Sequence, residues 1–300
     1  MEYVGMVESF NQGDGFSNVT IKLENKESIN LKATPEQIED LKVGELYLYQ
    51  TSTRLHHDKE QLVLDDFKNI FEVYDSVRLL KVLPNFYQVA PLNPNEAIGK
   101  IEDTLNRIKN NNIKTIAQYL YYNNKDKFII YPAATKFHHA YISGLLYHTY
   151  RMLLNAEALC KIYDYLNTDL VYAGIILHDI AKVYEFSGAV KAQYTTQGLL
   201  IGHVVMGVLA IERAANINCI NGEEVMLLEH IVLSHHGIPE FGSPKRPMLP
   251  EAIIVNMIDD MDSKLTVVGE GLNEYNEGEF SQGVSVLNKT RLYKPFKKEE

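Results

Sequence analysis

Cysteine is scarce in this chain of 300 residues, which has only Cys160 and Cys219 and no CxxC pair. That excludes a disulfide framework and a thiolate-only metal site, and it points to a reducing, cytoplasmic setting. Long apolar runs are missing too. No stretch approaches the roughly 18 residues of a bilayer span. The opening MEYVGMVESF has no basic n-region and reads as a strand, so neither a membrane segment nor a signal peptide is expected. Basic charge is in deficit: 29 Lys and Arg stand against 39 Asp and Glu, a net charge of −10. Indiscriminate coating of DNA needs a basic surface and is therefore disfavoured. Bound divalent cations would invert the local field and readmit a nucleic-acid substrate. Internal repeats, low-complexity tracts and a Ser/His/Asp grouping are also lacking. What is present is 46% hydrophobic residues, enough for two modest domains.

Residues 1 to about 70 carry a period of two. Val4, Met6, Glu8 and Phe10 alternate with their neighbours, as do Val19, Ile21 and Leu23, Ile29 and Leu31, Leu46 and Leu48, and Leu62 and Leu64. Gly13–Gly15 and Asn25–Lys26 supply turns. In ATPEQIEDLKVG, Thr34 caps a short helix, Pro35 suits its first position and Gln37 completes a capping box. Three strands, a helix and two more strands suit an OB-type barrel. Tyr47, Tyr49, Phe16 and Arg54 either stack on bases or belong to barrel core and surface, the second reading carrying more weight. His56 and His57 sit on a polar hairpin tip and read as surface. Further on, Asn93 and Pro94 open a helix carrying Ile98, Ile101, Leu105 and Ile108. Asn110–Asn112 breaks it, and Ile113, Ile116 and Leu120 begin another. From Phe137 to about Val268 the pattern is helical.

The chemistry concentrates in that helical region. His148 borders an apolar face with Leu145 and Met152. His178 and Asp179 follow the apolar run AGIIL, with Lys182 next at i+4 from His178. His203 falls in the apolar helix LLIGHVVMGVLAIERAA. His230 precedes His235 and His236 in EEVMLLEHIVLSHHG. Asp259 lies one turn after Val255, with Asp262 on the same face. Singly, each is a core residue with a partner. Together, five histidines and two aspartates enter one helical region from separate helices. Each would destabilise the fold by about a few kcal/mol if buried alone, and shared cations remove that cost at once. Imidazole and carboxylate donors suit Mn, Fe, Co, Ni or Zn. His230, between Leu227 and Leu233, reads as structural.

The order H…HD…H…HH…D resembles the HD superfamily of metal-dependent phosphohydrolases, in its two-metal form. YPAATKFHHAYISGLLYHT, LHDIAKVYE, GHVVMG, LSHHGIPEFGSPKRPMLPEA and IDDMDSK resemble, more closely, the YhaM-type 3′-to-5′ exoribonucleases of Gram-positive bacteria. The resemblance implies a mainly α protein with an N-terminal β module: an all-helical HD domain preceded by an OB-type barrel. It divides the chain into a nucleic-acid-binding module (1–72), a helical connector (73–135), the HD domain (136–290) and a charged tail (291–300). It implies that His148, His178, Asp179 and Asp259 hold one divalent ion, manganese first among the candidates. Asp179 then bridges to a second ion, completed by His203, His235 and His236, and Asp262 supports the ligands from behind. Lys182 serves catalysis and grips a substrate phosphate. Lys245 and Arg246, in a Gly/Pro-rich loop, and His138 and His139 are further substrate-binding candidates. Single-stranded RNA, or single-stranded DNA, is the implied partner, and a homo-oligomer stays open. Two other readings compete: an HD phosphohydrolase acting on nucleotides or cyclic nucleotides, and a non-catalytic single-strand-binding factor.

Overall fold

The computed structural model describes residues 1–13, 16–56, 59–135 and 141–296. Among them two compact units are resolved, Met1–Gln88 and Val89–Glu300. Gly15 of the expected first turn and His57 of the polar tip lie outside the described residues.

In the first unit, strands β1 (Glu2–Gly13), β2 (Phe16–Leu23), β3 (Ser28–Lys32), β4 (Leu46–His56) and β5 (Lys59–Asn69) close into a barrel in the order β1-β2-β3-β5-β4. β1 pairs antiparallel with both β2 and β4, while β3 meets β5 in parallel at Lys32 and Val63. This is the OB arrangement the strand order predicts. Helix α1 (Pro35–Asp40) stands between β3 and β4. The Gln37 N–H donates to Thr34 Oγ1 and the Thr34 N–H donates back to Gln37 Oε1, so the capping box is complete. Helices α2 (Ile70–Val73) and α3 (Ser76–Val82) follow, capped by Asn69 and Asp75.

Two strand phases differ from the sequence pattern. On β1 the barrel interior receives Tyr3 and Val7, not Val4 and Met6, and a bulge between Val7 and Ser9 then turns Phe10 inward. An extra residue in one strand flips every later side chain to the other face, which no period of two can encode. On β4 it is Tyr47 and Tyr49, not Leu46 and Leu48, that join the barrel core. Leu46 is buried on the opposite face, so both faces of β4 are covered and alternation loses its meaning. The Tyr47 ring meets Phe67 edge-on at 5.6 Å and its hydroxyl donates to Glu45 at 2.9 Å. Both tyrosines are thus core, whereas Phe16 and Arg54 are exposed.

The second unit is helical: α4 (Pro94–Arg107), α5 (Asn111–Ile130), α6 (Gly144–Ile162), α7 (Thr168–Leu177), α8 (Lys182–Glu185), α9 (Thr196–Ile201), α10 (His203–Ile217), α11 (Glu223–Ser234) and α12 (Pro250–Leu272). Asn93 caps α4 through its side chain, as its position before the apolar stripe predicts; the break expected at Asn110–Asn112 falls at Ile108–Asn110, where Asn110 caps α5 and Asn111 and Asn112 are its first residues. Helix α7 is apolar all round, the signature of a central helix, and it packs on α5, α6, α11 and α12. Two glycines bring its neighbours close. A Cβ on Gly174 would lie 2.7 Å from Ile231 of α11, and one on Gly207 of α10 would lie 2.9 Å from Val232. The ends of α7, α10 and α11 are thereby drawn together, and each of those ends carries a histidine.

The sequence pattern places the HD pair and His203 inside continuous helices, and the structure breaks both. Helix α7 stops at Leu177. His178 caps it, and residues 178–181 form a turn closed by Ile180 N–H to Leu177 O and Lys182 N–H to Asp179 O. His203 is the first residue of α10, after Gly202 at φ +77° interrupts the helical run, a conformation that a residue with a side chain rarely adopts. Helix ends expose side chains in more directions than helix faces do, and this lets neighbours in sequence serve one centre.

Candidate metal centre

Seven side chains converge at those helix ends. His148 Nε2 lies 3.3 Å from His178 Nε2 and 3.2 Å from Asp259 Oδ1. His178 Nε2 is 3.2 Å from Asp179 Oδ2. The other oxygen of Asp179 faces His203 Nε2 at 3.4 Å and His235 Nε2 at 3.8 Å. His236 closes the ring, with Nε2 at 3.2 Å from His203 Nε2 and Nδ1 at 3.6 Å from Asp259 Oδ2. Two triads have ligand atoms within 4.8 Å of one another, His148–His178–Asp179 and His203–His235–His236. Asp179 touches both, and Asp259 also reaches a member of each.

The proton inventory shows what this arrangement lacks. Nδ1 of His178 meets the carbonyl of Ile175 at 2.7 Å, and Nδ1 of His235 meets that of Val232 at 2.6 Å. A carbonyl only accepts, so each Nδ1 carries a hydrogen and each Nε2 is the ring nitrogen turned to the centre. Carboxylates play the same part for His148, whose Nδ1 is 2.8 Å from Asp262, and for His203, whose Nδ1 is 3.0 Å from Glu185. Four Nε2 atoms and two carboxylates therefore point at a common space. Asp179 Oδ1 and His235 Nε2 are buried there without a hydrogen-bond partner among the described residues. Acceptors facing acceptors in a buried site repel unless cations stand between them. A mixed nitrogen and oxygen donor set suits divalent transition ions, so the residues fit a divalent metal centre.

Electrostatics agree. Burial alone would raise the Asp179 carboxyl, but Lys182, then His178 and His203, hold it well below the usual carboxylate range. Burial opposes ionisation of Asp259 as well, and hydrogen bonds from His148 and His236 overcome it. Burial would lower His148, yet Asp259 and Asp262 push it up to about 9. Those carboxylates attract positive charge, here a proton. Burial, then His236 and His178, keeps His235 neutral, as a ligand must be. Lys182 is buried, and its ammonium lies 2.7 Å from Asp179 Oδ2.

Among the remaining candidates, Lys245 and Arg246 are exposed on the loop between α11 and α12, and His138 and His139 lie outside the described residues. Several supporting residues carry no sequence signal. Glu185 receives the His203 ring, Arg151 binds Asp262 at 2.9 Å, Ser243 Oγ accepts the His236 N–H, and Asn256 donates to the His235 carbonyl. They are single polar residues spread over four segments, and only the fold assembles them.

His230 stands outside the ring and anchors that loop, its Nε2 accepting the Met248 N–H at 2.9 Å. Burial lowers its pKa. A depressed value in the fold means the bond is intact above the unfolded value of about 6.5 and weakens as pH falls through the folded value. Hydrogen exchange at the Met248 amide, corrected for intrinsic rate, should show protection falling between pH 8 and pH 5. His230→Ala should give low protection at both. Equal protection of the wild type at both pH values would contradict this anchoring.

Comparison with known proteins bears on the same stretch. Residues 145–264, which bracket every side chain of the ring, match the family model for the HD domain. The chain is 44% identical over 221 residues to the 3′-5′ exoribonuclease YhaM of Geobacillus sp. (strain WCH70), covering 74% of this chain and 67% of that protein. It is 37% identical over 270 residues to YhaM of Bacillus subtilis (strain 168), covering 90% of this chain and 82% of that protein. With YhaM of Bacillus licheniformis the identity is 42% over 213 residues, 71% of this chain and 68% of the relative. The second of these alignments is too long for the HD domain alone to contain it, and with a barrel in front of an HD domain the chain belongs to the YhaM 3′-5′ exoribonuclease family.

Proposed function

We propose that this chain is a metal-dependent 3′-to-5′ exoribonuclease. It hydrolyses phosphodiester bonds of single-stranded RNA to nucleoside monophosphates, with single-stranded DNA as a second substrate. The observation that carries the reading is Asp179 Oδ1 and His235 Nε2, two acceptors buried without partners among the described residues and 3.8 Å apart inside a ring of imidazoles and carboxylates. We assign His148, His178, Asp179 and Asp259 to one divalent ion and His203, His235, His236 and Asp179 to the other. Manganese is the ion we name, since carboxylates hold half of the first set. A pair of such ions supplies charge neutralisation at phosphorus and a nucleophile at neutral pH.

The protein's own residues do the rest. Asp179 spans the two triads and fixes their separation. Lys182 orients Asp179 and places a positive charge where negative charge grows on the phosphoryl oxygens, the arrangement that is worth most in a water-poor site. Lys245 and Arg246 offer exposed charge to the sugar–phosphate backbone, independent of base sequence. In the barrel, a cavity of about 310 Å³ lined by Lys32, Thr34, Gln37, Arg54, Leu55 and Gln61 among others supports a role in holding single strands. The two isolated cysteines, both reduced, support placement in the cytoplasm.

A time course with Mn²⁺ on end-labelled RNA separates this from its competitors. A 5′-labelled strand should shorten as a ladder, while a 3′-labelled strand should release labelled mononucleotide from the first time point. Intact oligonucleotide beside hydrolysed mononucleotides or cyclic dinucleotides would instead support a small-molecule phosphohydrolase.

A further inference from the structure

Each half of the centre contains one imidazole backed by a backbone carbonyl and one backed by a carboxylate. In the first half these are His178 on Ile175 O and His148 on Asp262. In the second they are His235 on Val232 O and His203 on Glu185. The two carboxylates are not equivalent. Asp262 shares its charge with Arg151, whose Nε lies 2.9 Å from Oδ1 and whose Nη1 bonds Thr266. Glu185 has no cation in hydrogen-bond range among the described residues. Lys182, on the same short helix, is turned to Asp179. Glu185 Oε1 instead takes both the ring Nδ1–H and the main-chain N–H of His203, each at 3.0 Å. Both hydrogen bonds accepted by Oε1 come from one residue.

The backbone around Glu185 is built to hold it there. Its carbonyl accepts the Thr195 N–H at 2.8 Å, and Thr195 Oγ1 both bonds Tyr184 O and caps α9 at Gly198. Gly198 packs directly on Glu185: a Cβ there would lie 2.4 Å from the Glu185 carbonyl oxygen and 3.0 Å from its Cγ. Any larger residue at 198 must displace main chain. Glu185 is itself buried, so its geometry is set by this clasp of α8, α9 and α10.

We propose that Glu185 is a positioning residue that sets the affinity of the ion held by His203, His235 and His236, while the ion held by His148 and His178 depends on Asp262. The proposal rests on the two-ion assignment above. A carboxylate behind a ligating imidazole fixes its tautomer and orientation and raises its basicity, and removing such a partner weakens metal binding about 10–100-fold. Glu185 backs a ligand of one ion only, so its loss should divide the pair.

The test is calorimetric titration of Mn²⁺ into chelator-treated full-length protein, with electron paramagnetic resonance of the loaded samples. Wild type should bind two ions per chain and show spin coupling between them. In Glu185→Ala one of the two affinities should fall about 10–100-fold and the coupled signal should vanish at two equivalents. The other affinity should stay within about threefold, so the retained ion certifies the fold. Glu185→Gln keeps an oxygen for both His203 donors without the charge and should lie between wild type and Glu185→Ala. Gly198→Ala should mimic Glu185→Ala, and Asp262→Asn should weaken the other ion. Unchanged affinities in Glu185→Ala, or equal loss of both, would overturn the proposal. A wild type that binds a single ion would overturn the dinuclear reading, a separate failure seen before any variant is made.

Discussion

Asp179→Asn should lose at least about 10³-fold in Mn²⁺-dependent RNA hydrolysis while its far-UV circular dichroism stays that of wild type. Asp179 contacts members of both triads, with one oxygen 3.2 Å from His178 Nε2 and the other 3.4 Å from His203 Nε2. Removing its charge therefore weakens both ions at once, whereas loss of any single histidine leaves one ion fully ligated. Charge stabilisation by a catalytic metal is worth several kcal/mol, and each ~1.4 kcal/mol is tenfold in rate. Asparagine preserves shape and volume, so the core around α7 has no cavity to close. Assay of turnover beside metal content decides the matter. Turnover within about tenfold of wild type would remove Asp179 from the centre.

The second large effect concerns Lys182, and it depends on metal. Its ammonium and Asp179 form a pair 2.7 Å apart, both buried. Burial would lower the lysine pKa, but Asp179 raises it above the usual value, so the pair stays ionised. Lys182→Met leaves Asp179 buried without its nearest counter-charge, which costs about 3–5 kcal/mol when nothing replaces it. For a unit of this size that is about 6–20 °C in melting temperature. Divalent cations restore positive charge beside the same carboxylate. The expected signature is a variant much less stable than wild type in chelator and much closer to it in Mn²⁺. Its turnover should still be down about 10²–10³-fold, because a donor to the developing phosphoryl charge is gone. Melting curves in both conditions test this; equal destabilisation with and without Mn²⁺ would show that Lys182 is a packing residue with no bearing on the metal centre.

Much of this was legible in the residues themselves. Thr34 with Gln37, Asn93 with Pro94, and Asn110 are local signals, settled by atoms within four positions, and each starts a helix in the structure. The convergence of these side chains was legible for a different reason: imidazoles and carboxylates in apolar settings demand an explanation, and a shared cation is the cheapest. What failed was anything requiring a long-range decision. The bulge in β1 and the doubly covered β4 defeat a period of two, since neither leaves a mark in local composition. The breaks at His178 and Gly202 move His178 and His203 from the helix faces expected of them to helix ends. Glu185 was invisible as a partner of His203 because the 17 residues between them fold into a turn and the short helix α9, and nothing local announces that they close on each other.

Functional roles follow the same division. Asp262 was expected to support a neighbouring imidazole, and its oxygen lies 2.8 Å from His148 Nδ1. That Arg151 stands behind Asp262 in turn was not, because an arginine three residues after a histidine on a long helix reads as solvated surface. The centre is thus layered: ring nitrogens and carboxylate oxygens facing inward, carbonyls and carboxylates fixing the imidazole orientations, and a cation or a clasped backbone fixing those in turn. Such layering is what holds ligating atoms near productive geometry before any ion arrives.

The most direct measurement is metal stoichiometry against turnover: chelator-treated protein is titrated with Mn²⁺ while bound metal and release of mononucleotide from 3′-labelled RNA are followed together. A dinuclear centre requires activity to rise with the second equivalent and to level off at two ions per chain. Full activity at one ion, or activity untouched by chelation, would contradict it.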